Sequence, residues 1–147
     1  MPNKITIKNA PIEDAVLVNS TIVEFDKSYQ KEYFEDRYKD KDNLTIVAYI
    51  NDKPIGYVVW YDRDDDGSFY CWMAGVDPKY RRLGVLKKLM GYGFDWAKNK
   101  CYKTIKIKTR NNRREMLAYL VRYGFWFTNV VQYPDIGDNR IEFEKST

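Results

Sequence analysis

Three apolar runs separated only by polar turns constrain this chain more than any other feature. They are LTIVAYI (44–50), IGYVVWYD (55–62) and SFYCWMAGV (68–76). Each is rich in β-branched and aromatic residues, and the connectors NDKP and RDDDG are turn sequences. The pattern predicts a meander of three antiparallel strands. The run of Asp64 to Asp66 is read as part of a hairpin turn.

The segments on either side supply layers to cover such a sheet. KITIK (4–8) alternates as a short strand, and Pro11 opens a helical stretch, IEDAVLVNSTIVEF (12–25), with Glu13 and Asp14 in its first turn. SYQKEYFEDRY (28–38) predicts a second helix, with Tyr29, Tyr33 and Arg37 on one face. Val85 to Lys98 is the clearest helix, because Leu86, Leu89, Met90, Gly93, Trp96 and Ala97 recur at three- and four-residue spacing. Gly93 lies on that face, where close packing onto the sheet is a reason to keep it. YKTIKIKT (102–109) then reads as a strand and RREMLAYLVRY (113–123) as a helix capped at Gly124. FWFTNVVQ (125–132) and NRIEFEK (139–145) close the chain as strands. The expected order is βααβββαβαββ, an α/β (α+β) mixed sheet flanked by helices in a single domain over 1–147.

Composition removes several chemistries. The sequence has no histidine, which excludes the usual general base and every histidine-containing triad. Cys71 and Cys101 lack metal spacing and suit a reducing compartment; no metal site is expected. No apolar run is long enough to span a bilayer and the N-terminus carries no signal peptide, so a cytoplasmic protein without a membrane partner is expected. Residues up to Asp66 hold 9 of the 25 Lys/Arg and 14 of the 21 Asp/Glu, a net of −5, and the remainder nets +9. An anion should meet the second half and a cation the first.

The basic half contains VDPKYRRLGVLKKLM (76–90), in which two arginines and one glycine precede the amphipathic helix. The first N–H groups of a helix lack intrahelical acceptors, and the dipole adds positive charge there. Arg81 and Arg82 supply forked donors, and Gly84 lets an anion approach the backbone. Together they predict a phosphate or pyrophosphate cradle, although a helix start with a solvated basic turn has the same spacing. Neither a Walker loop nor a GxGxxG fingerprint is present.

This stretch resembles the acetyl-CoA-binding motif of the GNAT superfamily of N-acetyltransferases, [Q/R]-x-x-G-x-[G/A]. Arg81 and Gly84 match it, and Leu86 departs from its final small residue. TRNNRREMLAYLVRYGF resembles the family's asparagine–helix–GF segment, and DNRIEFEK its closing strand. The resemblance implies a GNAT-like fold in which the strand ending at Val76 splays from YKTIKIKT. It implies that Ala74 and Val76 offer backbone groups to a pantetheine arm. It further implies that Leu83, Gly84, Val85 and Leu86 offer N–H groups to a pyrophosphate beside Arg81 and Arg82. The family's asparagine falls at Asn111 counting from the strand, or at Arg113 counting back from Gly124-Phe125; Asn111 is preferred, with Asn112 as neighbour.

The implied function is transfer of acetyl from acetyl-CoA to a primary amine of a small molecule or peptide, by direct attack without an acyl-enzyme. The alternative is a non-catalytic acyl-CoA-binding or regulatory domain of the same fold. The family's usual general acid, a tyrosine, aligns with Leu120, leaving neighbouring Tyr119 as the candidate. Glu32 is the candidate base. Together Glu24, Asp26, Glu32, Glu35 and Asp36 would form an acidic mouth for a cationic acceptor, walled by Tyr29, Tyr33 and Phe34. Nucleic acid is not an expected partner, because Lys103, Lys106 and Lys108 suit the solvated face of a strand. The two C-terminal strands offer a surface for a homodimer.

Overall fold

The computed structural model describes residues 4–22 and 29–147. Strand β1 (Ile5–Asn9) is followed by α1 (Ile12–Asn19), α2 (Lys31–Tyr38) and the meander β2 (Asn43–Ile50), β3 (Lys53–Tyr61) and β4 (Ser68–Val76). Then come α3 (Val85–Asn99), β5 (Thr104–Arg110), α4 (Arg114–Arg122), β6 (Trp126–Val131) and β7 (Arg140–Ser146). This is the expected order, with short 3-10 turns added at Pro78–Tyr80 and Ile136–Asp138. The strands form one sheet in the order β1-β2-β3-β4-β5-β7-β6. Neighbours are antiparallel except β4 and β5, which run parallel.

Asn51 and Asp52 join β2 to β3, both with positive φ, as a two-residue hairpin loop requires. Two cores form, one on each face of the sheet. Leu44, Ile46, Val58, Trp60, Phe69 and Ile105 pack with Leu89 and Met90 of α3 and Leu120 of α4. On the opposite face Val47, Tyr57 and Val59 pack with Ile12, Ala15 and Val18 of α1 and Phe34 of α2. Among the described residues no helix is long and apolar enough to cross a membrane.

Helix α1 is shorter than its apolar pattern predicts. Ser20 and Thr21 turn their hydroxyls onto the carbonyls of Leu17 and Val18, at 2.6 and 2.7 Å, which competes with further helical turns. Asn19 is buried and donates to the Tyr57 hydroxyl at 2.8 Å, pinning the helix end to β3. The rest of that predicted helix, residues 23–25, lies outside the described residues. Helix α2 starts at Lys31; Tyr29 precedes it, yet its ring stacks on Tyr33 at 4.1 Å.

The two long helices end alike. After α4, the Phe125 N–H donates to the Leu120 carbonyl and that of Gly124 to Val121, with Gly124 at φ +86°. After α3, the Tyr102 N–H donates to Ala97 and that of Cys101 to Lys98. Both are Schellman caps, but the second places a cysteine at φ +70° where glycine is preferred. Cys101→Gly is therefore expected to stabilise the protein by about 0.5–1 kcal/mol, read as a higher denaturation midpoint. An unchanged or lower midpoint would mean that the cysteine's conformation is unstrained.

Candidate active site

Strands β4 and β5 pair only from Ser68↔Thr104 to Cys71↔Ile107, although β4 continues to Val76 and β5 to Arg110. The cause lies on the other side of β4. Trp60 pairs with Cys71 and Val59 with Met73, so Trp72 is an extra residue. Such a bulge bends a strand and increases its twist. Beyond it β4 veers from β5 and the splayed residues 72–76 are half-exposed. A cleft of about 1210 Å³ passes through this gap, from the α3–α4 side of the sheet to the α1–α2 side.

Ala74 and Val76 line the cleft, and the Arg81 guanidinium donates through Nε to the Val76 carbonyl at 3.2 Å. Helix α3 begins beside the cleft, with Gly84, Val85 and Leu86 in its lining. Its N-cap, Gly84, has φ +76° and offers no capping side chain, and the first turn contains no acid. Arg82 is also left-handed, at φ +67°, so Leu83 is bracketed by two residues of that hand. Backbone turns of this kind gather N–H groups into an anion-binding concavity. A Cβ at Gly84 would meet no protein atom within 4 Å beyond the neighbouring residues, which leaves the space before the helix open. With Arg81, Arg82 and Lys87 around it, this end suits a polyphosphate.

The other residues predicted for the cradle divide. Leu86 is half-buried, packs against the core and also lines the cleft. Val85 lines it too, but its side chain goes into the core against Gly56, so its backbone is what remains to offer. Leu83 is exposed and outside the cleft's lining. Asn111 lies outside the cleft's lining: its Nδ2 donates to the Ile136 carbonyl at 3.1 Å and its Oδ1 accepts from Arg114, fastening the β6–β7 connection. Its neighbour Asn112, and Arg113, line the cleft.

Counting back from Gly124-Phe125 selects Leu120, which is fully buried in the core. Tyr119, one residue earlier, lines the cleft and packs on Tyr123 with ring centroids 4.5 Å apart. Burial first, and the neighbouring Tyr123 next, push its hydroxyl pKa up to about 12. Cys71 reaches the cleft wall but is buried against Met90, and burial pushes its thiol pKa up. Cys101 is outside the lining.

The acceptor side departs most from expectation. Glu32, Glu35 and Asp36 are exposed on α2, and none lines the cleft; Glu24 and Asp26 lie outside the described residues. Tyr29 and Tyr33 do wall it, joined by Trp72, while Phe34 is buried behind. Arg37 lies over the Trp72 ring at 4.9 Å. Lys108, Arg110 and Arg140 line the same side, and Glu115 is the one carboxylate lining the cleft among the described residues. Lys106 lies outside the cleft, bound to Asp64 and Asp66 at 3.4 and 2.9 Å, and Lys103 precedes β5 altogether. Trp72, Tyr133 and Arg140 were not singled out from the sequence; the basic residues of KIKTR and NRIEFEK were visible there, but not which strands would pair.

A mixed sheet opened between two parallel strands thus leads to a helix start without a side-chain cap. The chain belongs to the acetyltransferase (GNAT) family, whose sequence profile matches residues 15–125. No curated protein sequence matches it. Among solved structures it is similar to the ribosomal-protein-S18-alanine N-acetyltransferase from Escherichia coli, with a TM-score of 0.83 and 16% identity over 97% of this chain and 94% of that one. It is similar to Arabidopsis thaliana Naa50 in complex with the bisubstrate analogue CoA-Ac-MVNAL, at TM-score 0.77 and 19% identity, covering 97% and 99%. A GNAT family acetyltransferase from Elizabethkingia anophelis with acetyl-CoA bound aligns at TM-score 0.73 and 22% identity, covering 97% and 98%.

Proposed function

We propose that this chain is an N-acetyltransferase that moves acetyl from acetyl-CoA to a primary amine of a small molecule or peptide. The observation that carries the reading is the parallel pair that stops at Cys71↔Ile107 and opens onto the start of α3. The splayed backbone at Ala74 and Val76 suits an amide-bearing arm, and the first turn of α3 with Arg81, Arg82 and Lys87 suits a pyrophosphate. Bound there, acetyl-CoA supplies a thioester carbon open to an amine nitrogen, and its C–S bond breaks with the electron pair going to sulfur.

Tyr119 is the proton donor in this reading. Its side chain lines the cleft and, like any tyrosine, is protonated at neutral pH, so Oη can offer a proton toward the departing sulfur. The burial that raises its pKa makes this transfer harder and does not drive it. The amine nitrogen loses its proton to water as the amide forms, and water returns a proton to the Tyr119 oxygen. Buried Cys71 and distant Cys101 support direct transfer without an acyl-enzyme. Tyr119→Phe is expected to lower kcat about 100-fold with KM for acetyl-CoA little changed, read by thiol release. An undiminished kcat would remove the tyrosine from the chemistry. The reading as a whole is tested by calorimetric titration with acetyl-CoA, followed by thiol release across a panel of primary amines. Failure of both would leave a non-catalytic member of the fold.

A further inference from the structure

The two faces of the sheet divide the positive charge of the cleft. Ile105, Ile107, Ile141 and Phe143 turn toward α3, so alternation places Lys108, Arg110 and Arg140 on the opposite face, with Arg37. These cations therefore lie across the sheet from the α3 cradle, on the acceptor side. Arg110 and Arg140 sit directly opposite one another in the β5–β7 register, both half-buried. Like charges at such positions are destabilising. Arg140 is also held in place, its guanidinium 4.6 Å from the Tyr133 ring centroid and bonded to the Asp138 carbonyl. Two arginines at paired positions on one face, both lining the cleft, suit a carboxylate.

Resting on the acetyltransferase reading, we propose that the acceptor is a small primary amine that also carries a carboxylate, as an amino acid does, with the carboxylate held at the Arg110–Arg140 rim. The aromatic wall of Tyr29, Tyr33 and Trp72 faces the body of such a molecule. The surrounding arginines disfavour the charged amine and so favour the free base that attacks. Lowering the amine's pKa in this way leaves correspondingly less for a general base to do. That accounts for a site without histidine and without Glu32 in its wall.

The experiment compares kcat/KM for matched acceptors: phenylalanine with phenethylamine, and lysine with cadaverine. Phosphoethanolamine and spermidine serve as further arms, and acetyl-CoA binding is measured separately by calorimetry. The carboxylate-bearing member is expected to be preferred about 10- to 100-fold, mainly through KM. Arg140→Ala is expected to collapse that preference to within about threefold, and Arg140→Lys to restore part of it, neither lowering the melting temperature nor shifting acetyl-CoA affinity. Preference for spermidine, cadaverine or phosphoethanolamine, or equal losses on both members of a pair in Arg140→Ala, overturns the carboxylate while leaving the acetyltransferase standing. Absence of both acetyl-CoA binding and turnover overturns the two together.

Discussion

Gly84→Glu is expected to fold and to lose at least about 100-fold in affinity for acetyl-CoA, equivalent to about 2.7 kcal/mol. A Cβ at this position has open space, with nothing of the protein within 4 Å beyond the neighbouring residues, so the side chain can leave toward the cleft. Its cost to the fold is the left-handed conformation, about 1–2 kcal/mol for a residue other than glycine at φ +76°. Part of that is returned, since a carboxylate before the first turn of α3 interacts favourably with the helix dipole, by about 0.3–1 kcal/mol. The remaining loss is small against an ordinary stability of about 5–15 kcal/mol. The same carboxylate, however, takes the place of a phosphate and repels it. Calorimetry with acetyl-CoA, beside a melting curve, separates the two effects. A folded variant that binds within tenfold of the original protein would move the phosphate site away from α3.

The second large effect belongs to the core. Gly93 and Gly91 lie two residues apart on α3, and Ala should act oppositely at the two. A Cβ on Gly93 would stand 2.1 Å from Cζ2 of Trp60 and 2.5 Å from its Cε2. That indole is fully buried and stacks near Phe69, so it has no room to retreat. Overpacking of this kind costs about 1–3 kcal/mol, and contact with a rigid ring puts Gly93→Ala at the upper end. Gly91 has open space beside it, and Ala there should gain about 0.5–1 kcal/mol from helix propensity. Urea midpoints of the two variants should fall on opposite sides of the original protein. A Gly93→Ala midpoint equal to it would mean that the indole yields after all.

Most of the architecture was legible because it is local. Continuous apolar runs between turn sequences marked all three strands of the meander, and three- and four-residue spacing marked α3 to within a residue. The overlong α1 shows where local pattern fails: its apolar residues continue past Asn19, but two hydroxyls end the helix. In the site, the basic turn before α3 announced itself by composition. Tyr119 and Leu120 were harder to place, since one residue turns a side chain through about 100° on a helix and decides between cleft and core. Asn111 and Asn112 differ in the same way across a turn. Trp72 as the bulge, and Arg110 facing Arg140, depend on registers between distant strands, which no single segment encodes.

The short junction between β4 and β5 also has a mechanical meaning. Four residue pairs join a slab of β1 to β4 with one of β5, β7 and β6, while seven pairs join β5 to β7 and eight join β2 to β3. The sheet is thus two plates sharing a brief seam, each better bound within itself than to the other. Segments open independently where few bonds must break, and this seam is the least costly place to part the sheet. The groove and the weakest line of the sheet coincide. A molecule that bridged the splayed strands would add bonds where the protein has fewest, and would act as a clasp as well as a guest.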